Sequence, residues 1–253
     1  MIAHRCSASC EPSRKKALEQ GIPYEELATE PESIAIQRAD ELLYRILNDT
    51  QAEEHRIFIG GSENFRTLLY PEYKANRRDL ADPTHLASVR EFLVREWGAE
   101  VVSGYESDDG IGIAAKGDFV IVSNDKDFKQ IAGEHYNPIN LTWEVVDDET
   151  AALRFFCQML EGDRSDNVAG IDGLGPVKSK RILDGRSIEE MHSEVRRIYA
   201  DDERFLLNLR LLRILRDESE LEEIYADIKR EKQGEEPTKA CSSPDPETLS
   251  EAN

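Results

Sequence analysis

Seven acidic side chains fall in three short clusters. They are Glu106, Asp108 and Asp109 in YESDDGIG, Asp125 and Asp127 in SNDKDF, and Asp163 and Asp166 in EGDRSDN. Like charges at this density repel, so bringing them to one place requires cations between them. Carboxylate oxygens favour hard divalent ions such as magnesium or manganese. Two such ions about 3.5–4 Å apart would acidify water and clamp an in-line displacement at phosphorus. The last cluster leads into GIDGLGPVKSKR, where Gly170, Gly173 and Gly175 permit close backbone approach and Pro176 suits the first position of a helix. Free amide groups at such a helix start favour an anion, and Lys178, Lys180 and Arg181 add positive charge. Acids suited to metals beside a phosphate cradle point to phosphodiester hydrolysis.

A third constellation is YPEYKANRR, which interleaves Tyr70 and Tyr73 with Lys74, Arg77 and Arg78. Rings that stack on bases, beside cations that meet phosphates, suit single-stranded nucleic acid. Each pattern has a plainer alternative by itself. SDD is a common helix cap, the glycine run could be a ligand-free turn between helices, and YKANRR could be a solvated helix face. The conjunction of the three favours the chemical reading.

These residues need elements to position them. Thr29 and Glu32 form a capping-box pattern ahead of Ile34, Ile36, Ala39, Leu42, Leu43, Ile46 and Leu47, so a helix is expected to about Asn48. Beyond a short opening segment, the first thirty residues otherwise read as polar and irregular. RIFI at 56–59, 100–103 and FVIVS at 119–123 read as strands, with helices from Asp82–Thr84 to Trp97 and over 108–116. Strands alternating with helices predict a mainly parallel sheet covered on both faces, and ligands of such sheets bind beyond the carboxyl ends of strands. Glu106 and Asp125 land on that rim. From about Asp147 the pattern is helical, over 149–160, 176–183, 188–199, 203–216 and 221–231.

The net charge of -20 is unfavourable for a nucleic-acid binder. Bound metals would offset part of it, the acidic stretch from Asp217 onward is expected to lie away from any DNA, and YKANRR and KSKR supply local basic stripes. Cys6, Cys10 and His4 lack a second Cys/His pair to complete a zinc site, so Cys6, Cys10, Cys157 and Cys241 are expected as reduced thiols. No apolar run approaches the roughly 20 residues that cross a bilayer, and the amino terminus shows no apolar signal core. The cytoplasm is the expected location.

Taken together, FRTLLYPEYKANRRD, YESDDGIG, VIVSNDKDFKQI and GDRSDNVAGIDGLGPVKSKRIL, in that order between Phe65 and Leu183, resemble the 5′-nuclease (flap endonuclease) superfamily. Bacteriophage 5′ exonucleases and the amino-terminal nuclease domain of bacterial DNA polymerase I show this text. The resemblance implies a PIN-like α/β domain over 1–147 with an arch at 62–83, then a helical helix-three-turn-helix (helix-hairpin-helix) subdomain over 148–232 and an acidic, disordered tail over 233–253. It implies a monomer that cuts 5′-ended, flapped or branched DNA without sequence preference, in replication or repair, using two magnesium or manganese ions. By position, Glu106, Asp108, Asp109, Asp125, Asp127, Asp163 and Asp166 match metal-binding carboxylates. Lys74 and Arg77 match cations at the scissile phosphate, and Tyr73 a stacking residue with Arg78 nearby. The turn at Gly170, Gly173 and Gly175, with Lys178, Lys180 and Arg181, matches a clamp on duplex backbone, which in relatives uses potassium. The style of the motifs suggests a bacteriophage source.

Two departures stand out. Family members open with a central strand ending in a metal-binding aspartate, whereas Met1–Cys6 matches only the helix that follows it. Many relatives also carry an aspartate where this chain has Gly60, Gly61 and Ser62. A gap in the sheet is the expected consequence. The competing expectation is a relic that binds DNA ends without cutting them. A ribonuclease of the wider PIN group fits less well, because those small domains generally lack the glycine clamp.

Overall fold

The computed structural model describes residues 1–21, 23, 26, 28–78 and 80–233. In chain order its first elements are α1 (Ile2–Ala8), α2 (Arg14–Gln20), α3 (Glu32–Thr50), β1 (Phe58–Asn64), α4 (Phe65–Leu69), α5 (Leu86–Trp97), β2 (Glu100–Gly104) and α6 (Ser107–Ala114). Then come β3 (Val120–Val122), β4 (Gly133–Asn137), β5 (Thr142–Val146), α7 (Asp148–Glu161), β6 (Gly162–Asp163) and β7 (Val168–Ala169). The chain closes with α8 (Pro176–Leu183), α9 (Ile188–Tyr199), α10 (Asp202–Leu212) and α11 (Glu218–Gln233). It folds as two compact units, one of Met1–Ile59 with Leu80–Val101, the other of Gly60–Asp79 with everything from Val102 onward.

In the first unit α3 buries Ala35, Ala39, Leu42, Leu43 and Ile46, the stripe expected from its spacing. Helix α5 buries Val89 and Leu93, and α1 packs on both α3 and α5. The irregular stretch expected beyond the opening segment is corrected here, because α2 is a regular helix of 7 residues, whereas α1 falls where Met1–Cys6 reads as a helix start. Such short helices give too few turns for a periodic signal. Ser13 caps α2 by accepting from the Lys16 amide, and Gly21 ends it at φ +66°. The Thr29 capping box does not form. Pro31 is the residue at the N-cap of α3, and the Thr29 hydroxyl donates to Glu11 instead. Cys6 and Cys10 are free and buried, and the Cys10 sulfur receives Arg38 Nη1 at 3.3 Å.

In the second unit β3 runs parallel to β4, with Val120 opposite Glu134 and Val122 opposite Tyr136. Strand β5 pairs antiparallel with β4. Strands β1 and β2 form a separate two-stranded sheet. The α/β class with a following helical region holds. The helical region builds its core from Phe155, Phe156, Met159 and Leu160 of α7 against Leu183, Met191, Val195, Phe205 and Leu209. Each large apolar side chain buried this way stabilises the fold by roughly 1.5–3 kcal/mol. A second cluster joins Phe65 of α4 to Leu215, Ile224 and Ile228, which seats α11. Among the described residues no helix is long and apolar enough to cross a membrane. The tail from residue 234, with Cys241, lies outside the described residues.

Candidate active site

The carboxylates come from three connections. Glu106 sits at the N-cap of α6, immediately after β2, and Asp108 follows in the first turn. Asp125 caps the short 3-10 turn Lys126–Gln130 by accepting from the Asp127 amide. Asp163 ends β6, and Asp166 lies in the tight connection to β7. These are rim and cap positions, where polar side chains satisfy free backbone amides and still reach outward.

The YPEYKANRR segment closes onto two of the three. Lys74 Nζ lies 2.5 Å from Glu106 Oε1 and 3.5 Å from Asp166 Oδ2. Arg77 Nη2 donates to Asp166 Oδ1 at 2.9 Å. The Tyr73 hydroxyl stands 3.1 Å from Glu106 and 3.0 Å from Asp166. Backbone bonds fix the same contact: the Lys74 amide donates to Asp166 O at 2.9 Å, and Asn167 Nδ2 to Glu72 O at 2.8 Å. Asn76 Nδ2 reaches the carbonyls of Arg164 and Ser165. Lys74 holds a left-handed backbone, φ +54°, which is costly for a residue with a side chain. These bonds keep it there.

Burial first, and neighbouring carboxylates second, disfavour the anions of the rim. Burial pushes Asp108 up to about 6, with Glu106 and Asp125 adding to the rise. Burial likewise raises Asp127 to about 6, with Asp125 and Asp163 contributing. Asp125 thus lies near enough to Asp108, and Asp163 to Asp127, to oppose their ionisation. Asp163 behaves differently: burial raises it, but donors from the Ser165 hydroxyl and the Asp166 and Ser165 amides outweigh that and hold it below the usual range. A cavity of about 180 Å³ opens beside the first cluster, lined by Lys74, Glu106, Asp108, Asn64, Gly60 and Gly61 among others.

Two expected site residues are used otherwise. Asp109 is fully buried and its carboxylate is filled by protein donors, including a fork from Arg66 at 2.6 and 2.8 Å. Both of its oxygens are engaged, by Arg66, the Glu106 amide and the Leu215 amide. Tyr73 is 2 % exposed, its ring packed in the helical core, so it has no face to offer a base. Its hydroxyl alone reaches the site. Arg66, Asn64 and Ser165 were not evident from sequence. Arg66 sits inside a quoted motif, but one arginine on a helix of 5 residues carries no pattern.

The glycine turn is built in two parts. Gly162 and Gly170 lie so close that a Cβ on Gly170 would stand 2.4 Å from the Gly162 nitrogen, so their lack of side chains serves packing. Gly173 and Gly175 have open space around them, with Gly173 at φ +76°. Helix α8 begins with Pro176 after Gly175, as the sequence predicts. Lys178 donates back to Gly173 O at 2.9 Å. Lys180 and Arg181 are exposed, and Arg78 donates to Pro71 O on its own loop.

Residues 26–156, just over half the chain, match the family model described as 5′-3′ exonuclease, N-terminal resolvase-like domain. The chain belongs to that family. Among curated relatives, this 5′-3′ exonuclease-family chain is 32% identical over 145 residues to a 5′-3′ exonuclease of Buchnera aphidicola subsp. Schizaphis graminum, covering 50% of each. It is 28% identical over 144 residues to Flap endonuclease Xni of Shewanella sp. (strain W3-18-1), covering 50% of this chain and 55% of that one. The exonuclease-family chain thus spans about half the length of these relatives. Its fold is similar to that of the bacteriophage T5 flap endonuclease in a pseudo-enzyme–product complex with DNA and metal ions. The TM-score is 0.58 at 15% identity, covering 77% of this chain and 90% of that one. A mutant of the T5 5′-exonuclease gives a TM-score of 0.58 at 14% identity, covering 85% and 95%.

Proposed function

We propose that this chain is a divalent-metal-dependent, structure-specific 5′ nuclease that hydrolyses DNA phosphodiester bonds at 5′ ends or flaps. The observation that carries the reading is the convergence at Lys74, which meets Glu106 from one cluster and Asp166 from another. Nothing in a fold-only role calls for these cations beside that density of carboxylates.

The donors fit hydrated divalent ions. They are hard oxygens, and such ions take one or two carboxylates and keep several waters. Asp108, Asp125, Asp127 and Asp163 would hold two ions of magnesium or manganese, and Glu106 and Asp166 would complete their surroundings. Bound there, the ions supply acidified water and a clamp on the phosphate. The chain's own residues do the rest. Lys74 and Arg77 turn from their carboxylates to the phosphate oxygens and stabilise charge that develops there. The Tyr73 hydroxyl holds Glu106 and Asp166 in place from the core side. Gly173, Gly175, Lys178, Lys180 and Arg181 grip duplex backbone and carry no base readout, with potassium as a candidate ion at the turn and Arg78 as a further phosphate contact. Residues 1–147 would form the nuclease portion and 148–232 the gripping portion, acting as a monomer.

One observation favours a second reading, a protein that binds DNA ends without cutting. Among the described residues no three His, Cys, Asp or Glu side chains stand close enough together to hold a metal ion as placed. A 5′-labelled flap substrate separates the two. Cleavage in magnesium that falls at least a hundredfold in Asp125→Ala and Lys74→Ala supports the nuclease. Binding in EDTA with no cleavage in magnesium selects the second reading, and variants that cut as fast as the parent refute the assigned site.

A further inference from the structure

Asp109 and Arg66 form a buried pair whose bonds all lead to the backbone around the site. Asp109 Oδ1 accepts from Arg66 Nη2 at 2.8 Å and from the Leu215 amide at 3.0 Å. Its Oδ2 accepts from Arg66 Nη1 at 2.6 Å and from the Glu106 amide at 3.0 Å. An ionised carboxylate offers about four acceptor positions, and all are taken. Arg66 in turn donates Nε to Leu211 O at 2.9 Å and Nη2 to Arg213 O at 2.6 Å. Arg66 is 3 % exposed and Asp109 0 %. Four backbone groups from two distant stretches of chain therefore meet at one ion pair. Tyr225 of α11 adds a neighbouring tie, donating to Gly104 O at 2.8 Å, two residues before Glu106.

We propose that the Arg66–Asp109 pair is a positioning device for the rim carboxylates, and that it makes their placement depend on the segment Leu211–Leu215. The inference rests on the metal-site reading above. Replacing a buried pair by apolar groups of similar volume is often neutral or stabilising, so stability alone does not account for charges at this spot. Direction does. The carboxylate bonded to the Glu106 amide, with the Glu106 side chain accepting from the Asp109 amide in return, closes a capping box that fixes the first turn of α6, and Glu106 and Asp108 line the cavity from that turn. The two adjacent aspartates thus divide the labour: Asp108 reaches the rim, and Asp109 anchors it.

The test uses the full chain, with Mn²⁺ titrated by electron paramagnetic resonance and amide hydrogen exchange read by mass spectrometry or NMR. The double variant Arg66→Met/Asp109→Leu is expected to remain folded yet bind Mn²⁺ roughly tenfold to a hundredfold more weakly, the range typical when support behind metal ligands is lost. Arg66→Lys, which keeps the charge and loses the fork, is expected to lose exchange protection at the Glu106 and Leu215 amides while α9 keeps its own. A folded double variant with unchanged Mn²⁺ affinity would overturn the proposal. So would Asp109→Asn if it lost one whole Mn²⁺ equivalent and left the other untouched, since Asp109 would then be a ligand. Should the double variant not fold, Arg66→Lys decides: unchanged protection at both amides refutes the device. Should the parent bind no Mn²⁺, the metal reading fails, while the exchange data still report on the pair.

Discussion

The carboxylate rim and the glycine turn are both charged, and they are built in opposite ways. At the rim nearly every functional group has a protein partner: Lys74 and Arg77 lie on Glu106 and Asp166, and Asp163 accepts from Ser165 and the Asp166 amide. At the turn, Gly173 and Gly175 face open space, and Lys180 and Arg181 extend into solvent. A site that must hold like charges together needs internal partners before any ligand arrives. A surface that must slide along uniform phosphates needs only accessible charge and bare backbone. The contrast predicts that substitutions at the rim act on rate and stability, and those at the turn on affinity and salt dependence.

The largest effect is expected at Asp108. Asp108→Ala should reduce flap cleavage in magnesium at least a hundredfold, with thermal stability unchanged or raised, because the carboxyl it removes is one that burial disfavours as an anion. A matching loss of stability would show that Asp108 is structural. Next comes the packing glycine. Gly170→Ala is expected to destabilise by about 1–3 kcal/mol in a denaturant melt, since its Cβ would stand 2.3 Å from the Glu161 carbonyl carbon. If it melts like the parent but loses DNA affinity, Gly170 belongs to the exposed part of the turn.

The pH dependence sharpens the rim side. Asp108 and Asp127 titrate near 6 when folded and near the ordinary aspartate value when unfolded. Both therefore bind protons more tightly folded, and the stability this gives is fully present only below the ordinary aspartate value and is lost as pH rises from there through about 6. Buried His135 and half-buried His192, whose values are lowered by desolvation, act in the opposite direction and are common to parent and variant. Without metal, Asp108→Asn/Asp127→Asn should be more stable than the parent at pH 8 by roughly 2 kcal/mol relative to the same comparison at pH 5. Chemical denaturation at the two pH values measures this, and equal differences would mean that the rim charges do not strain the fold. The smallest effect is expected at the turn. Lys180→Ala and Arg181→Ala should each weaken duplex binding severalfold and lower the slope of log affinity against log salt by about 1. An unchanged slope would remove them from the phosphate path.

What the sequence made legible follows the same divide. Helix α8, its proline start and the exposed cations are local features, and local pattern found them. The rim acids were legible as types and spacing because each sits at a cap or turn next to a recognisable element. The burial of Tyr73 and Asp109 was not legible for one reason: burial and partners are set by chain far away in sequence, Asp109 by Leu215 and Arg66, Tyr73 by the core around α7. No local pattern separates Asp108 from Asp109. Helix α2 was too short to show a period.

Calorimetric titration of the full chain with Mn²⁺ tests the convergence of the carboxylates most directly. The account predicts saturable uptake by the parent, weakened at least tenfold in Asp108→Asn/Asp127→Asn. No uptake by the parent, or identical uptake by the variant, would contradict it.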